Sequence, residues 1–229
     1  MKKSVKLLSL FAMLAGFSTV ASAEGVFVGG SLDAQHSKLS ASDCDADDGD
    51  CSISGGRMGL GLKSGYDFGQ FRVYGAYQYN LKAKEKETET RTYSSPIGTY
   101  HHEYNTETSW QSHDLTVGAD YTPSFTDNFK GLVGGYLGYS HLKVKEKYSA
   151  VHIWNGKVDH SYSEDDSVTS NGFVYGLRLG GIYSFNQNNE LEFGVKAEQA
   201  RYKRITENDW DFKPKTTNYG AFVGYNYKF

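Results

Sequence analysis

Eight segments of this chain alternate apolar with polar side chains at a period of two. In residues 191–198, for example, Leu, Phe, Val and Ala alternate with Glu, Gly, Lys and Glu. Because successive side chains of a strand point to opposite faces, this pattern predicts strands with one apolar and one polar face. The chain is therefore expected to be all-β. The eight predicted strands lie within residues 26–36, 57–63, 71–82, 114–121, 132–142, 173–185, 191–198 and 218–229.

A soluble β-sandwich and a membrane β-barrel both show this alternation, and the connections between the segments separate the two. Short connections alternate with long ones, a rhythm that a sandwich does not need. Outer-membrane barrels place short turns in the periplasm and long loops outside the cell. The sequence therefore predicts an eight-stranded antiparallel up-and-down transmembrane β-barrel over residues 24–229. The short connections are 64–70, 122–130 and 186–189, and the long ones are 38–52, 85–108, 145–168 and 204–216.

Aromatic residues are abundant, with 18 Tyr and 13 Phe, and they gather at both ends of the predicted strands. Two aromatic girdles at the membrane–water interfaces are typical of such barrels. We expect the girdle beside the long loops to consist of Trp110, Tyr139, Phe173, Tyr202 and Tyr219.

The N-terminus has the three parts of a secretory signal peptide. Three lysines within the first six residues precede a mostly apolar run, and small residues follow up to Ala23. We expect residues 1–23 to be removed by cleavage after Ala23. A short membrane anchor is the alternative, but the apolar run is too short to span a bilayer.

Cys44 and Cys51 are the only cysteines of the chain, and acidic residues fill the first long loop between them. In an exported protein, two such close cysteines are expected to form a disulfide. The aspartates do not match a calcium loop, since Asp48 stands at the glycine position and Ser54 at the place of the final glutamate. A solvated acidic loop is the favoured interpretation.

The chain ends in alternate aromatics, at Tyr225, Tyr227 and Phe229. This ending and the strand rhythm resemble those of the OmpA/OmpX-type eight-stranded outer-membrane proteins, which include Ail and the opacity-like proteins. The resemblance implies the outer membrane of a Gram-negative bacterium. It also implies contact with outer-membrane lipids and lipopolysaccharide, and recognition of the three aromatics by the barrel-assembly machinery.

Charged residues lie on the predicted inner face of the barrel. An eight-stranded barrel is just wide enough for its own side chains to fill, and an unpaired charge there is costly. We therefore expect an ion-paired plug. A narrow pore is the alternative, favoured by small inward residues such as Gly59, Gly61, Gly118 and Gly176. The predicted interior charges are Asp33, Arg57, Lys63, Arg72, Lys82, Asp114, Asp120, Arg178, Glu192, Lys196 and Glu198.

No catalytic or metal site is predicted. Ser112, His113 and Asp114 are consecutive, but in a strand His113 faces away from the other two, so they form no relay. His101 and His102, with His152 and His160, are interpreted as exposed loop side chains and not as a metal site. No cofactor is expected, and a net charge of −3 without a basic stripe gives no reason to expect nucleic acid.

These observations favour a non-enzymatic, monomeric outer-membrane protein with a structural or surface-interaction role. Envelope integrity, adhesion and resistance to host factors are the candidate roles, with a host or surface ligand bound by the loops. A small porin-type channel is the alternative function.

Overall fold

The computed structural model of the protein describes residues 24–42, 52–95, 98–154, 157–207 and 210–229. The predicted signal peptide and both cysteines lie outside the described residues. Within the described ranges the chain forms nine β-strands, each antiparallel to its neighbours. These are β1 Gly25–Ser42, β2 Ser52–Asp67, β3 Phe71–Ser95, β4 Gly98–Tyr121, β5 Phe129–Trp154, β6 Lys157–Ser184, β7 Asn189–Tyr202, β8 Ile205–Glu207 and β9 Trp210–Lys228.

The strands form a closed ring. Sequential neighbours pair from β1 to β7, β7 pairs with β9, and β9 pairs back with β1. The β1–β9 pair, which closes the ring, runs in register from Phe27 opposite Lys228 to Ser42 opposite Lys213. The three-residue β8 pairs only with β9, so eight long strands make the barrel. The predicted fold class is confirmed.

Three short turns lie at one end of the barrel, which we call the short-turn end. The turn between β2 and β3 needs a glycine, because Gly69 has a φ of 85°. Its backbone N–H donates a hydrogen bond of 2.8 Å to the Asp67 carboxylate. The N–H of Phe68 closes the turn on the carbonyl of Phe71 at 2.7 Å.

Strands β3 to β6 continue far beyond the barrel. They have 25, 24, 26 and 28 residues, whereas a tilted strand crosses a bilayer in about 9–11 residues. We call their distal halves, residues 84–95, 98–109, 145–154 and 157–167, the ribbon. The predicted long connections at 85–108 and 145–168 are therefore paired strands almost to their tips.

The outer surface of the barrel is apolar. Leu62, Val117 and Leu177 are 62%, 61% and 70% exposed, and they belong to a continuous belt around the ring. A surface of this extent is not stable in water and fits a hydrocarbon environment. No helix in the described part of the chain is long and apolar enough to cross a membrane.

A bulge in β3 changes which side chains point inward. The pairing with β4 shifts between Asn80 and Ala83, and both of these residues are buried while Lys82 is exposed. The prediction that Lys82 points inward was therefore wrong. It rested on uninterrupted alternation, which a bulge resets by inserting a residue.

Candidate functional site: barrel interior and ribbon

The barrel interior collects ten of the eleven predicted interior charges. Even the most exposed of them, Lys196, has only 10% of its side chain accessible. Most of these residues take part in three clusters of ion pairs, stacked from the short-turn end towards the ribbon.

The first cluster closes the short-turn end. Arg72 lies 2.7 Å from Asp67 and 2.8 Å from Glu190. Lys228 approaches the same two acids at 2.9 and 3.6 Å. Two buried cations thus meet two buried anions, which is the condition under which charges can be removed from water. Asp67, Glu190 and Lys228 were not among the predicted interior charges, although the parity of Glu190 with Glu192 and of Lys228 with Asn226 places them inside.

The second cluster lies in the middle of the membrane-spanning part. Glu192 accepts from Lys63 at 2.5 Å and from Arg178 at 2.8 Å. Arg178 also binds Asp120 in a bidentate pair, with a distance of 2.8 Å from Nε to Oδ1. The guanidinium lies 4.8 Å from the centre of the Tyr74 ring, which adds a cation–π contact. This cluster, too, contains two cations and two anions.

The third cluster lies one step nearer the ribbon. Arg57 contacts Glu198 at 3.2 Å, and Lys196 contacts Asp33 at 3.1 Å. Glu198 also accepts hydrogen bonds from the Tyr136 hydroxyl at 2.8 Å and from an Asn218 amide at 2.9 Å. The carboxylate is therefore satisfied on both oxygens.

Asp114 differs from the other interior charges because neutral groups hold it. Its carboxylate accepts from Ser140 Oγ and from Asn80 Nδ2, each at 2.5 Å. Among the described residues it belongs to no ion pair. The expectation of pairing thus applies to its neighbours and not to Asp114 itself.

Two of the inward glycines, Gly118 and Gly176, lie against aromatic rings. A Cβ atom on Gly118 would overlap the Tyr74 ring, and one on Gly176 would come within 2.5 Å of the Tyr136 ring. The two rings therefore fill the space that the glycines leave. Between the second and third clusters a cavity of about 60 Å³ remains, which at roughly 10–15 Å³ per water molecule holds only a few.

An apolar layer lies over the charges on the ribbon side. Trp110 is fully buried, and its Nε1 donates to Ser37 Oγ at 2.8 Å. Tyr202 is also buried, so the prediction that Trp110 and Tyr202 belong to the outer girdle was wrong. Above the apolar belt the outer face meets water, and the core is built from inward side chains. The layer consists of Leu39, Ala83, Trp110, Leu142, Val144, Val168, Val174, Ala200, Tyr202 and Ile205.

The remaining predicted residues lie on the outer surface. Tyr139, Phe173 and Tyr219 are about half exposed, at 52%, 51% and 57%, as expected of girdle residues. The C-terminal aromatics also point outwards from β9, and the Phe229 N–H donates to the Val26 carbonyl at 3.0 Å. The terminal aromatics are Tyr225, Tyr227 and Phe229, which are 49%, 40% and 70% exposed.

The Ser112-His113-Asp114 run is divided between the two faces. Ser112 and Asp114 are buried inside, whereas His113 lies on the outer surface with Nδ1 2.7 Å from the Tyr77 hydroxyl. The three side chains form no relay.

The two faces of the ribbon differ. The face that continues the barrel interior carries aromatic rings in contact, such as Tyr100 against Trp154 with centroids 4.0 Å apart. The opposite face is charged. Its ion pairs join Lys84, Lys86, Lys145 and Lys147 to Glu107 and Asp165.

Hydrogen bonds and burial shift the pKa values of ribbon carboxyls in opposite directions. Donation from Lys84, at 2.9 Å, and from Lys86 lowers the pKa of Glu107 to about 2. On the inner face, burial raises the pKa of Glu146, and the neighbouring carboxylate of Asp166 adds to the effect. Glu107 thus keeps its charge in acid more readily than Glu146.

A closed antiparallel barrel with an apolar belt outside and paired charges inside is a transmembrane β-barrel protein. The chain belongs to the outer membrane protein beta-barrel domain family, which it matches over residues 9–229. It is therefore a protein of the outer membrane, with the short turns on the periplasmic side and the ribbon outside the cell.

Solved structures of low sequence identity are similar to this chain. Ail, the attachment invasion locus protein of Yersinia pestis, is 16% identical over 90% of this chain and 99% of that chain, with a TM-score of 0.43. Neisserial surface protein A is 17% identical over 92% and 100%, also at 0.43. OprG from Pseudomonas aeruginosa is 14% identical over 90% and 96%, at 0.36. No curated protein matches the sequence.

Proposed function

We propose that the protein has a structural or surface-interaction role in the outer membrane and presents the ribbon as its contact surface, without conducting solutes and without catalysis. The observation that carries the proposal is the filled interior. Ion-paired clusters occupy the barrel, and the apolar layer around Trp110 covers them. These features support the proposal over the small-channel alternative, because an open water path needs a continuous polar lining and the apolar layer interrupts it.

The ribbon supplies the contact surface. Rigidly held segments at the end of a scaffold are where binding residues concentrate. Paired strands also lose less conformational entropy on binding than an irregular loop of the same length. Adhesion, resistance to host factors and envelope integrity are the roles that this surface would serve.

The test is a strain that lacks the protein, complemented with the wild type or with a ribbon-shortened variant. Glu87 lies opposite Thr106, and Lys147 lies opposite Asp165. An Asn-Gly turn can therefore replace residues 88–105 and another can replace 148–164, since two-residue turns fit antiparallel pairs. The matched interior control carries the charge-balanced double substitution Lys63→Met/Glu192→Gln and an intact ribbon.

We expect the deletion strain to lose attachment to host surfaces, serum survival or detergent tolerance. Wild-type protein and the interior control should restore the lost property, and the ribbon-shortened variant should not. A deletion strain whose only defect is solute uptake would overturn the proposal in favour of the channel.

A further inference from the structure

Three histidines form one row across the ribbon. His102 of β4 lies directly opposite His152 of β5, and His152 lies directly opposite His160 of β6. The centroids of the first two rings are 4.4 Å apart, and those of the second two are 6.5 Å apart. His152 therefore has an imidazole neighbour on each side.

The first two rings point their nitrogens at each other. The Nδ1 atoms of His102 and His152 are 2.5 Å apart, so one ring must donate and the other must accept a single shared proton. Two imidazole lone pairs directed at one point are also the arrangement that binds borderline divalent metals such as Zn²⁺, Ni²⁺ and Cu²⁺.

Only a small movement separates the hydrogen-bonded pair from a chelate. With metal–nitrogen bonds of about 2.0–2.1 Å and tetrahedral angles, two ligand nitrogens lie about 3.3 Å apart. The two Nδ1 atoms must therefore move apart by less than about 1 Å from their present separation of 2.5 Å. Side-chain rotations on neighbouring strands supply a shift of this size.

The surroundings leave the three histidines accessible from solvent and limit the charge repulsion that a bound cation would meet. His160 is exposed, and His102 and His152 are half-buried on a part of the ribbon that lies outside the membrane. Arg91 of β3 lies opposite His102, but its Nε donates to the Glu89 carboxylate at 2.7 Å, which offsets its charge.

We infer that His102 and His152 bind a divalent transition-metal ion on the extracellular ribbon, with His160 within reach of the same site and water completing the coordination. No group of three or more His, Cys, Asp or Glu side chains in the described ranges is already arranged around a metal position. The geometry therefore points to a two-histidine site. A bound ion would add a side-chain link between β4 and β5, which are already paired here, and would stabilise the ribbon.

The test is a calorimetric titration of zinc into untagged protein, purified folded in detergent micelles at neutral pH. The variants are His102→Asn and His152→Asn, and the matched control is His101→Asn. His101 is the next residue of β4, faces the opposite side and contacts Thr92 at 2.9 Å. A heat-dependent gel shift of each variant establishes that its barrel is folded.

We expect the wild type and His101→Asn to bind one zinc ion with the same affinity within twofold. His102→Asn and His152→Asn should each weaken binding at least about tenfold, since even outer-shell changes cost about 10–100-fold. Absence of binding at millimolar zinc, or equal binding by His152→Asn and His101→Asn, would overturn the inference. The measurement uses no cellular property, so its outcome is independent of the proposed surface role.

Discussion

Replacing Glu192 with glutamine should destabilise the barrel strongly because it leaves Lys63 without its acidic partner. Glu192 is 1% exposed and lies 2.5 Å from Lys63, while Arg178 keeps a second partner in Asp120. The second cluster then changes from charge-neutral to a net charge of about +1 in a buried position.

The magnitude follows from this geometry. Unit charges at the 2.5 Å separation of Lys63 and Glu192 attract by roughly 7 kcal/mol at an effective dielectric constant of about 20. The amide of glutamine still offers one oxygen to its neighbours and recovers part of this energy. We therefore expect a loss of about 3–5 kcal/mol in the free energy of unfolding, the usual cost of removing one partner of a buried pair.

The assay is urea unfolding of the folded protein in lipid vesicles, followed by circular dichroism and by the heat-dependent gel shift. Glu87→Gln on the exposed ribbon is the matched control and should change the free energy of unfolding by less than about 0.5 kcal/mol. The double variant Lys63→Met/Glu192→Gln should recover much of the loss, because it removes both members of the pair. A Glu192→Gln variant within 1 kcal/mol of the wild type, or a double variant that loses the sum of the single losses, would show that the pair is not coupled in this way.

Three further predictions concern the apolar layer, the inward glycines and the ribbon. Trp110→Ala should cost about 3–5 kcal/mol in urea unfolding, because it leaves a cavity in the layer; a loss below 1 kcal/mol would contradict this. Gly118→Ala should cost about 1–3 kcal/mol by overlap with the Tyr74 ring, whereas Gly75→Ala, whose Cβ would lie 4.0 Å from the nearest heavy atom, should not. The Glu107 carboxyl should titrate near pH 2 by NMR. Since its pKa is lowered on folding, its ion pairs should stabilise the ribbon above the unfolded pKa of about 4.3 and lose that effect as the pH falls towards 2. Titration at an unshifted pH would show that the lysine contacts are absent in solution.

The membrane-spanning part of the barrel could be predicted from the sequence because one physical rule governs it. Lipid requires apolar side chains outside and a narrow interior requires polar ones inside, so parity alone places Glu192, Lys196 and Glu198. The pairing partners could not be predicted, because Glu192 and Lys63 are far apart in sequence and meet only through the register of the closed barrel.

The part of the barrel between the apolar belt and the ribbon could not be predicted in the same way. There the apolar side chains point inward and the polar ones outward, the reverse of the membrane-spanning part. In β5 the apolar residues are odd-numbered at Val133 and Leu137, and they become even-numbered at Leu142 and Val144. The outer face leaves lipid at this height and the core moves inside, so the change of parity marks the edge of the membrane. The same change accounts for the wrong placement of Trp110.

The strands of the ribbon could not be predicted from the sequence because neither face of the ribbon is mainly aliphatic. One face carries rings and the other carries charges, so hydrophobic alternation disappears while the strands continue. A weaker signal was present: Tyr100, His102 and Tyr104 stand at every second position. Rings at this spacing indicate a strand with one aromatic face.

Single-channel recording of the folded protein in a planar bilayer shows directly whether paired charges and an apolar layer close the interior. We expect no conductance steps from protein whose folding is established by the heat-dependent gel shift. Steady, reproducible openings from the same preparation would contradict this expectation, because they would require a continuous water path through the clusters around Arg72, Glu192 and Glu198.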